Sequence, residues 1–216
     1  MDYQQLKQRH RAEREQYHPN LSLRVHRALS WLQRAEMQDD LDGQFIFLWI
    51  AFNAAYATDI EESYRGSAHM IFRDFLQKLV ELDKKHSLEE LAWTEFPKSI
   101  RLLLDNKFVF QSFWDFQNQR ITCEEWEKRF ADGRKAAQKA LGARDTVSVL
   151  RIVLSRIYTL RNQIIHGGAT WSSFVNRDQV RDCVALLGKL VPVIVTVMMD
   201  NPDTLWGDAC YPVVRE

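Results

Sequence analysis

Three side chains that suit phosphate chemistry lie close together near the end of one helical segment. Residues 145–166 repeat with the period of an α-helix, and Arg161, Asn162 and His166 fall in its last two turns. Arg161 interrupts an apolar stripe that runs from Leu150 to Ile165, so its guanidinium must reach solvent, pair with a buried acid or face an anion. Asn162 and His166 are four residues apart and share a flanking face. All three side chains can therefore converge where the helix ends at two glycines.

These residue types favour metal-independent cleavage of RNA. Histidine is the general acid or base that works near neutral pH. Arginine is the natural partner of a phosphate that gains negative charge in a transition state. An amide side chain can orient either group. The sequence has no carboxylate cluster, glycine-rich phosphate loop or metal-ligand spacing beside them, so neither a metal nor another cofactor is expected. The 2′-hydroxyl of RNA would be the internal nucleophile, and the product a 2′,3′-cyclic phosphate.

The segment Arg161-Asn162-Gln163-Ile164-Ile165-His166 resembles the Arg-polar-x-x-x-His motif of HEPN domains (higher eukaryotes and prokaryotes nucleotide-binding). The glycines after it and the apolar run from Leu48 to Tyr56 resemble the Apea-like bacterial branch of that family. The resemblance implies an all-α bundle that forms a homodimer, with two motifs meeting in one composite endoribonuclease site. Family members of this kind act as toxins or in defence against phage. By resemblance, Arg161 contacts the scissile phosphate, Asn162 orients or contacts it, and His166 is the acid or base.

Three further residues are candidates for contact with RNA. Arg156 lies on the motif helix within a basic stretch, and Trp171 follows the glycines. Trp171 suits stacking on a base, with packing against the helix end as the alternative. Asn53 lies in the apolar helix, where the alternative role is to satisfy buried hydrogen bonds.

A structural role is the alternative for the motif itself. Arg161 would then bind helix-end carbonyls or pair with an acid such as Asp42 or Glu36, and His166 would only cap the helix. At the level of function, the alternative to a ribonuclease is a non-catalytic helical module that binds a partner protein or a nucleotide.

The charge is unevenly distributed although its sum is zero. The chain has 29 basic and 29 acidic residues. From Glu36 to Glu62 there are seven acidic residues and no basic one, whereas Lys128 to Arg161 contains nine basic and two acidic residues. The zero sum argues against bulk coating of nucleic acid. The basic stretch either lines a surface for phosphates or faces the acidic stretch in the fold or across a subunit contact.

The pattern of apolar residues predicts an all-α fold, a single helical bundle of about six to eight helices. Only 8 Gly and 5 Pro are present, and no run with the period of a strand is convincing. Residues 44–57 are apolar on all sides, which is typical of a central buried helix. The expected organisation is a polar helix or arm over 1–19, a helical domain over 20–200 and a tail over 201–216.

The expected location is the cytoplasm, without a membrane anchor. The N-terminus is polar and unlike a secretory signal, and the apolar run Leu190–Met199 is too short to span a bilayer. The cysteines Cys123, Cys183 and Cys210 are widely spaced, which predicts neither a zinc site nor a disulfide framework. The expected partners are RNA as substrate, a second copy of the chain, and an antitoxin or another component of a defence system.

Overall fold

The structure is a computed structural model that describes residues 2–57, 68–174, 176–209 and 211. This part of the chain contains ten α-helices and no strand, so the all-α prediction is confirmed and the predicted helix number was too low. The helices are α1 (Tyr3–Glu13), α2 (Pro19–Glu36), α3 (Leu41–Tyr56), α4 (Ala68–Leu82), α5 (Ser87–Glu90), α6 (Pro97–Asp105), α7 (Gln111–Gln117), α8 (Cys123–Gly142), α9 (Thr146–Ile165) and α10 (Arg177–Asp200).

The additional helices arise in the aromatic-rich middle of the chain. A π-helical turn over Leu91–Glu95 separates α5 from α6, and a 3₁₀ turn over Lys107–Val109 precedes α7. Pro97 is the first residue of α6, where its missing N–H is not needed, and it cannot continue the helix before it. The helices beside these breaks, α5, α6 and α7, span only 4, 9 and 7 residues, which is too short for the apolar period to delimit each one.

The helices form two compact units. One consists of the described residues of 1–87 and 183–216, and the other of residues 88–182. The predicted boundaries near residues 19 and 200, which separate an N-terminal arm and a C-terminal tail from the helical domain, are not tested by this division into units and stay predictions. In the first unit, α2 packs along α3, whose side chains Phe45, Leu48 and Phe52 are buried. Residues 44–57 therefore do contribute a central buried helix. Its start is set by Asp40, whose carboxylate accepts a hydrogen bond from the Gly43 N–H at 2.9 Å.

A buried arginine joins separate segments of the first unit. Arg24 of α2 is 1% exposed, and its guanidinium donates to three backbone carbonyls. The acceptors are Ala55 at 2.9 Å, Gly207 at 3.3 Å and Asp208 at 2.6 Å. The Ala55 carbonyl belongs to the last turn of α3, where carbonyls have no partner within the helix. Arg24 thus fixes α2, the end of α3 and the segment after α10 to one another.

A buried histidine lies between α1 and α2. His10 is 2% exposed, its Nε2 is 3.3 Å from the Ser22 hydroxyl, and its ring stacks on His26 at 6.3 Å. Burial lowers the pKa of His10 to about 4, and the positive charges of Lys7, His26 and Arg14 act in the same direction. The neutral imidazole is therefore the form that this packing stabilises.

The second unit is built around α9. Asp145 begins this helix by accepting a hydrogen bond from the Ser148 N–H at 3.0 Å, and Thr122 begins α8 in the same way from the Glu125 N–H at 3.2 Å. Aspartate and threonine are among the residue types that cap helices most often. Residues of α9 that are fully or almost fully buried are Val149, Leu150, Val153, Leu154, Ile157 and Leu160.

Helix α10 is the one described helix that is long and apolar enough to cross a membrane, judged by length and composition alone. Core helices of soluble proteins meet the same criterion, and 56% of its most apolar stretch is buried inside the protein. The cytoplasmic location stays a prediction.

Candidate functional site

The end of α9 is a closed turn that carries His166 at its tip. Gly167 follows with φ +70°, in the left-handed region that glycine enters without a steric penalty. The Gly167 N–H donates to the Ile164 carbonyl at 3.1 Å, and the Gly168 N–H donates to the Gln163 carbonyl at 2.7 Å. This pair of bonds is a Schellman motif, which satisfies carbonyls that the helix leaves without partners. A Cβ on the second glycine would lie only 3.1 Å from the same Gln163 oxygen.

Arg161 keeps unused hydrogen-bonding capacity. Its side chain is half-buried, and its Nη1 donates to the Asn162 side-chain oxygen at 2.9 Å. The guanidinium carbon lies 6.0 Å from the centre of the Tyr158 ring. Its Nε is enclosed and has no hydrogen-bond partner, and no ion pair of Arg161 with a carboxylate occurs in the described part of the chain. The structural alternative, an arginine neutralised by an acid, therefore finds no support among these residues.

Asn162 and His166 lie on the outer side of the same helix end. Asn162 is half-buried and His166 is exposed. Tyr158 and Ile165, which are 51% and 45% exposed, share this outer surface of α9. The structure therefore brings Arg161 and Asn162 together by a hydrogen bond and sets His166 one turn further along. We define this group of Arg161, Asn162 and His166 as the α9 triad.

The apolar stripe predicted along α9 ends one turn earlier than expected. Leu160 is fully buried, but Ile164 is half-buried and Ile165 is largely exposed. The buried stripe ends early because the last turn of α9 extends beyond the buried core. Helical periodicity does not reveal where tertiary packing stops. The α9 triad lies at the surface because this last turn is not buried.

The residues predicted to bind RNA do not belong to one unit. Trp171 follows the triad by five residues and is 78% exposed, so it does not pack against the end of the helix. Phe174, in the same connection to α10, is 90% exposed and was not among the predicted residues. Its sequence signal was an aromatic residue three positions after Trp171 in the same connection. Asn53 is half-buried in α3 and belongs to the first unit, whereas the other candidates belong to the second.

Arg156 has an environment that the sequence did not indicate. It is 4% exposed, and its guanidinium carbon lies 4.2 Å from the centre of the Phe110 ring. Burial lowers the pKa of this guanidinium to about 10. Its Nε has no hydrogen-bond partner. A side chain buried to this extent is poorly placed for the backbone of a long RNA, and the predicted RNA contact stays a prediction.

No group of three or more His, Cys, Asp or Glu side chains in the described residues could hold a metal ion. Comparison of the chain with protein-family models, curated proteins and solved structures finds no match.

Proposed function

We propose that this protein is a metal-independent endoribonuclease of HEPN type that cleaves RNA by attack of the 2′-hydroxyl on the adjacent phosphate. The observation that supports this most is the α9 triad: an arginine that forms no ion pair with a carboxylate among the described residues, an amide bonded to it, and an exposed histidine one turn away. Arginine and histidine are the two side chains that phosphate transfer without a metal needs most.

In the proposed reaction, His166 either takes the proton of the 2′-hydroxyl or gives a proton to the departing 5′-oxygen. The 2′-oxygen forms a new bond to phosphorus as the bond to the 5′-oxygen breaks, which leaves a 2′,3′-cyclic phosphate and a 5′-hydroxyl. Arg161 stabilises the negative charge that develops on the phosphate oxygens. Asn162 holds the guanidinium through the bond at 2.9 Å.

The chemistry also supports a homodimer. The reaction needs one group that accepts a proton and another that donates one, and the α9 triad contains a single histidine. Two copies of the chain would supply both. Tyr158 and Ile165 present apolar surface beside Asn162 on the outer side of α9, which suits contact with a second α9. In this proposal the site is composite, and the protein acts as a toxin or phage-defence effector controlled by an antitoxin or another defence component.

Cleavage of RNA in the presence of EDTA tests the proposed activity. The wild type should produce cyclic phosphate ends, and His166→Ala should lower the rate by about 10²–10⁴-fold, the usual contribution of a general acid or base. His86→Asn removes another exposed histidine and should cleave at the wild-type rate. Equal cleavage by wild type and a folded His166→Ala protein would refute the assignment.

The exposed aromatic residues Trp171 and Phe174 favour a second candidate function, a module that binds a partner without cleaving RNA. Expression in bacteria separates the two. A ribonuclease toxin should arrest growth as wild type and be harmless as Arg161→Ala. If both proteins are harmless and neither cleaves RNA, the binding module is favoured.

A further inference from the structure

A second arginine of α9 is buried without a counter-charge. Only 4% of the surface of Arg156 is exposed to solvent. Among the described residues it forms no ion pair, its Nε has no hydrogen-bond partner, and burial alone accounts for its lowered pKa. A guanidinium that loses its hydration without gaining an acid or a set of acceptors destabilises the fold.

The neighbours of Arg156 leave room for its guanidinium but do not neutralise it. The face of Phe110 lies 4.2 Å away, and attraction to an aromatic ring offsets only part of the cost of burial. On α8, Gly133 has no side chain at this point. A Cβ there would lie 3.6 Å from Nη2 of Arg156 and 3.3 Å from the Phe110 ring. The guanidinium therefore lies between the Phe110 ring and α8 at Gly133.

Helix α9 itself is also basic. The helix carries Arg151, Arg156 and Arg161, and no Asp or Glu occurs between Asp145 and Asp178. The whole second unit, residues 88–182, has fifteen basic and twelve acidic residues. Both the helix and its unit therefore carry a net positive charge, which favours an anion.

We propose that Arg156 is the binding site for a small phosphate-type anion, either inorganic phosphate or the phosphate of a free mononucleotide, held by the guanidinium beside Phe110 and Gly133. A tetrahedral oxyanion matches the two-pronged geometry of a guanidinium and supplies the missing counter-charge. The fully enclosed atom is Nε, so the terminal nitrogens are the ones that meet the ligand.

This site is separate from the α9 triad. Arg156 and Arg161 are five residues apart, which places them about 140° apart around the helix. The bound anion stabilises the packing of α9 against its neighbours and takes no part in cleavage. The proposal consequently does not depend on ribonuclease activity, and either can fail without the other.

Thermal unfolding with added phosphate tests the proposal directly. Sodium phosphate should raise the Tm of the wild type relative to sodium chloride of equal ionic strength, by about 3–6 °C at a concentration ten times the Kd. Arg156→Met, which keeps a long side chain without the charge, should show no such rise. Arg151→Met is the matched control, since it removes an exposed arginine from the same helix and should respond as the wild type does. A parallel titration with AMP distinguishes a free nucleotide from inorganic phosphate as the preferred ligand.

The outcomes are distinct. A buried charge without a partner also predicts that, without phosphate, Arg156→Met has a Tm equal to or above that of the wild type. The proposal is overturned if neither phosphate nor AMP raises the wild-type Tm beyond chloride, or if Arg156→Met responds equally. If Arg156→Met does not fold, Arg156→Lys replaces it in the test, because lysine keeps the charge without the two-pronged geometry. A rise of the Tm with phosphate that is as large in Arg156→Lys as in the wild type would also overturn the proposal.

Discussion

The turn after α9 allows a prediction whose magnitude follows from one backbone angle. Gly167 has φ +70°, and a Cβ placed on it would have no atom within 4 Å. Gly167→Ala therefore adds no steric contact with neighbouring residues, and its whole cost is that of an alanine in the left-handed region, about 1–2 kcal/mol. Urea unfolding should show a lower midpoint with an unchanged m-value. For a chain of this length, the Tm should fall by about 2–8 °C.

Gly167→Asn is the matched control for this substitution. Asparagine tolerates the left-handed conformation better than alanine does, although it is larger. We expect it to lower the free energy of unfolding by less than half as much as alanine does. If asparagine destabilises the protein as much as alanine, or if alanine has no effect, the assignment of a left-handed helix end at this position is wrong.

The same pair of variants reports on the proposed active site, because the turn fixes the backbone of His166. Under conditions where each variant is fully folded, Gly167→Ala should cleave RNA at least several-fold more slowly than Gly167→Asn. Identical rates would show that the Schellman turn contributes to stability without positioning the histidine.

Other predictions concern the stability of each unit. Arg24→Met should lower the free energy of unfolding by about 2–4 kcal/mol, because three backbone carbonyls lose their hydrogen-bond donor. Arg34→Met changes an exposed arginine on the same helix and should lower it by less than about 1 kcal/mol. Urea titration measures both values. Since the pKa of His10 is about 4 in the folded protein and about 6.5 when unfolded, the unfolded chain binds more protons between these values. The free energy of unfolding should therefore fall by about 2–3 kcal/mol as the pH drops from 7 to 4, and His10→Gln should remove that part of the pH dependence. Thr122→Ala should cost about 1 kcal/mol through loss of the α8 cap, measured by the same titration, and an unchanged midpoint would contradict the capping role.

The local features were predictable because they depend on neighbouring residues. Apolar periodicity predicts helices, and Asp145, Thr122 and the two glycines mark helix ends through bonds that span only three to five residues. The spacing of the α9 triad likewise follows from the geometry of one helix. Short-range rules therefore sufficed for the all-α class and for the composition of the candidate site.

Burial was decided only by the tertiary structure. Arg156 and Arg161 are arginines on the same helix, yet one is enclosed against Phe110 and Gly133 and the other reaches the helix end with Asn162. Residues distant in the sequence determine which side chain loses its water, and helical periodicity contains no information about them. For the same reason, the exposure of Ile165 and the division into two units followed only from the structure. The sequence determined which chemical groups α9 carries; tertiary packing determined which of them solvent and ligands can reach.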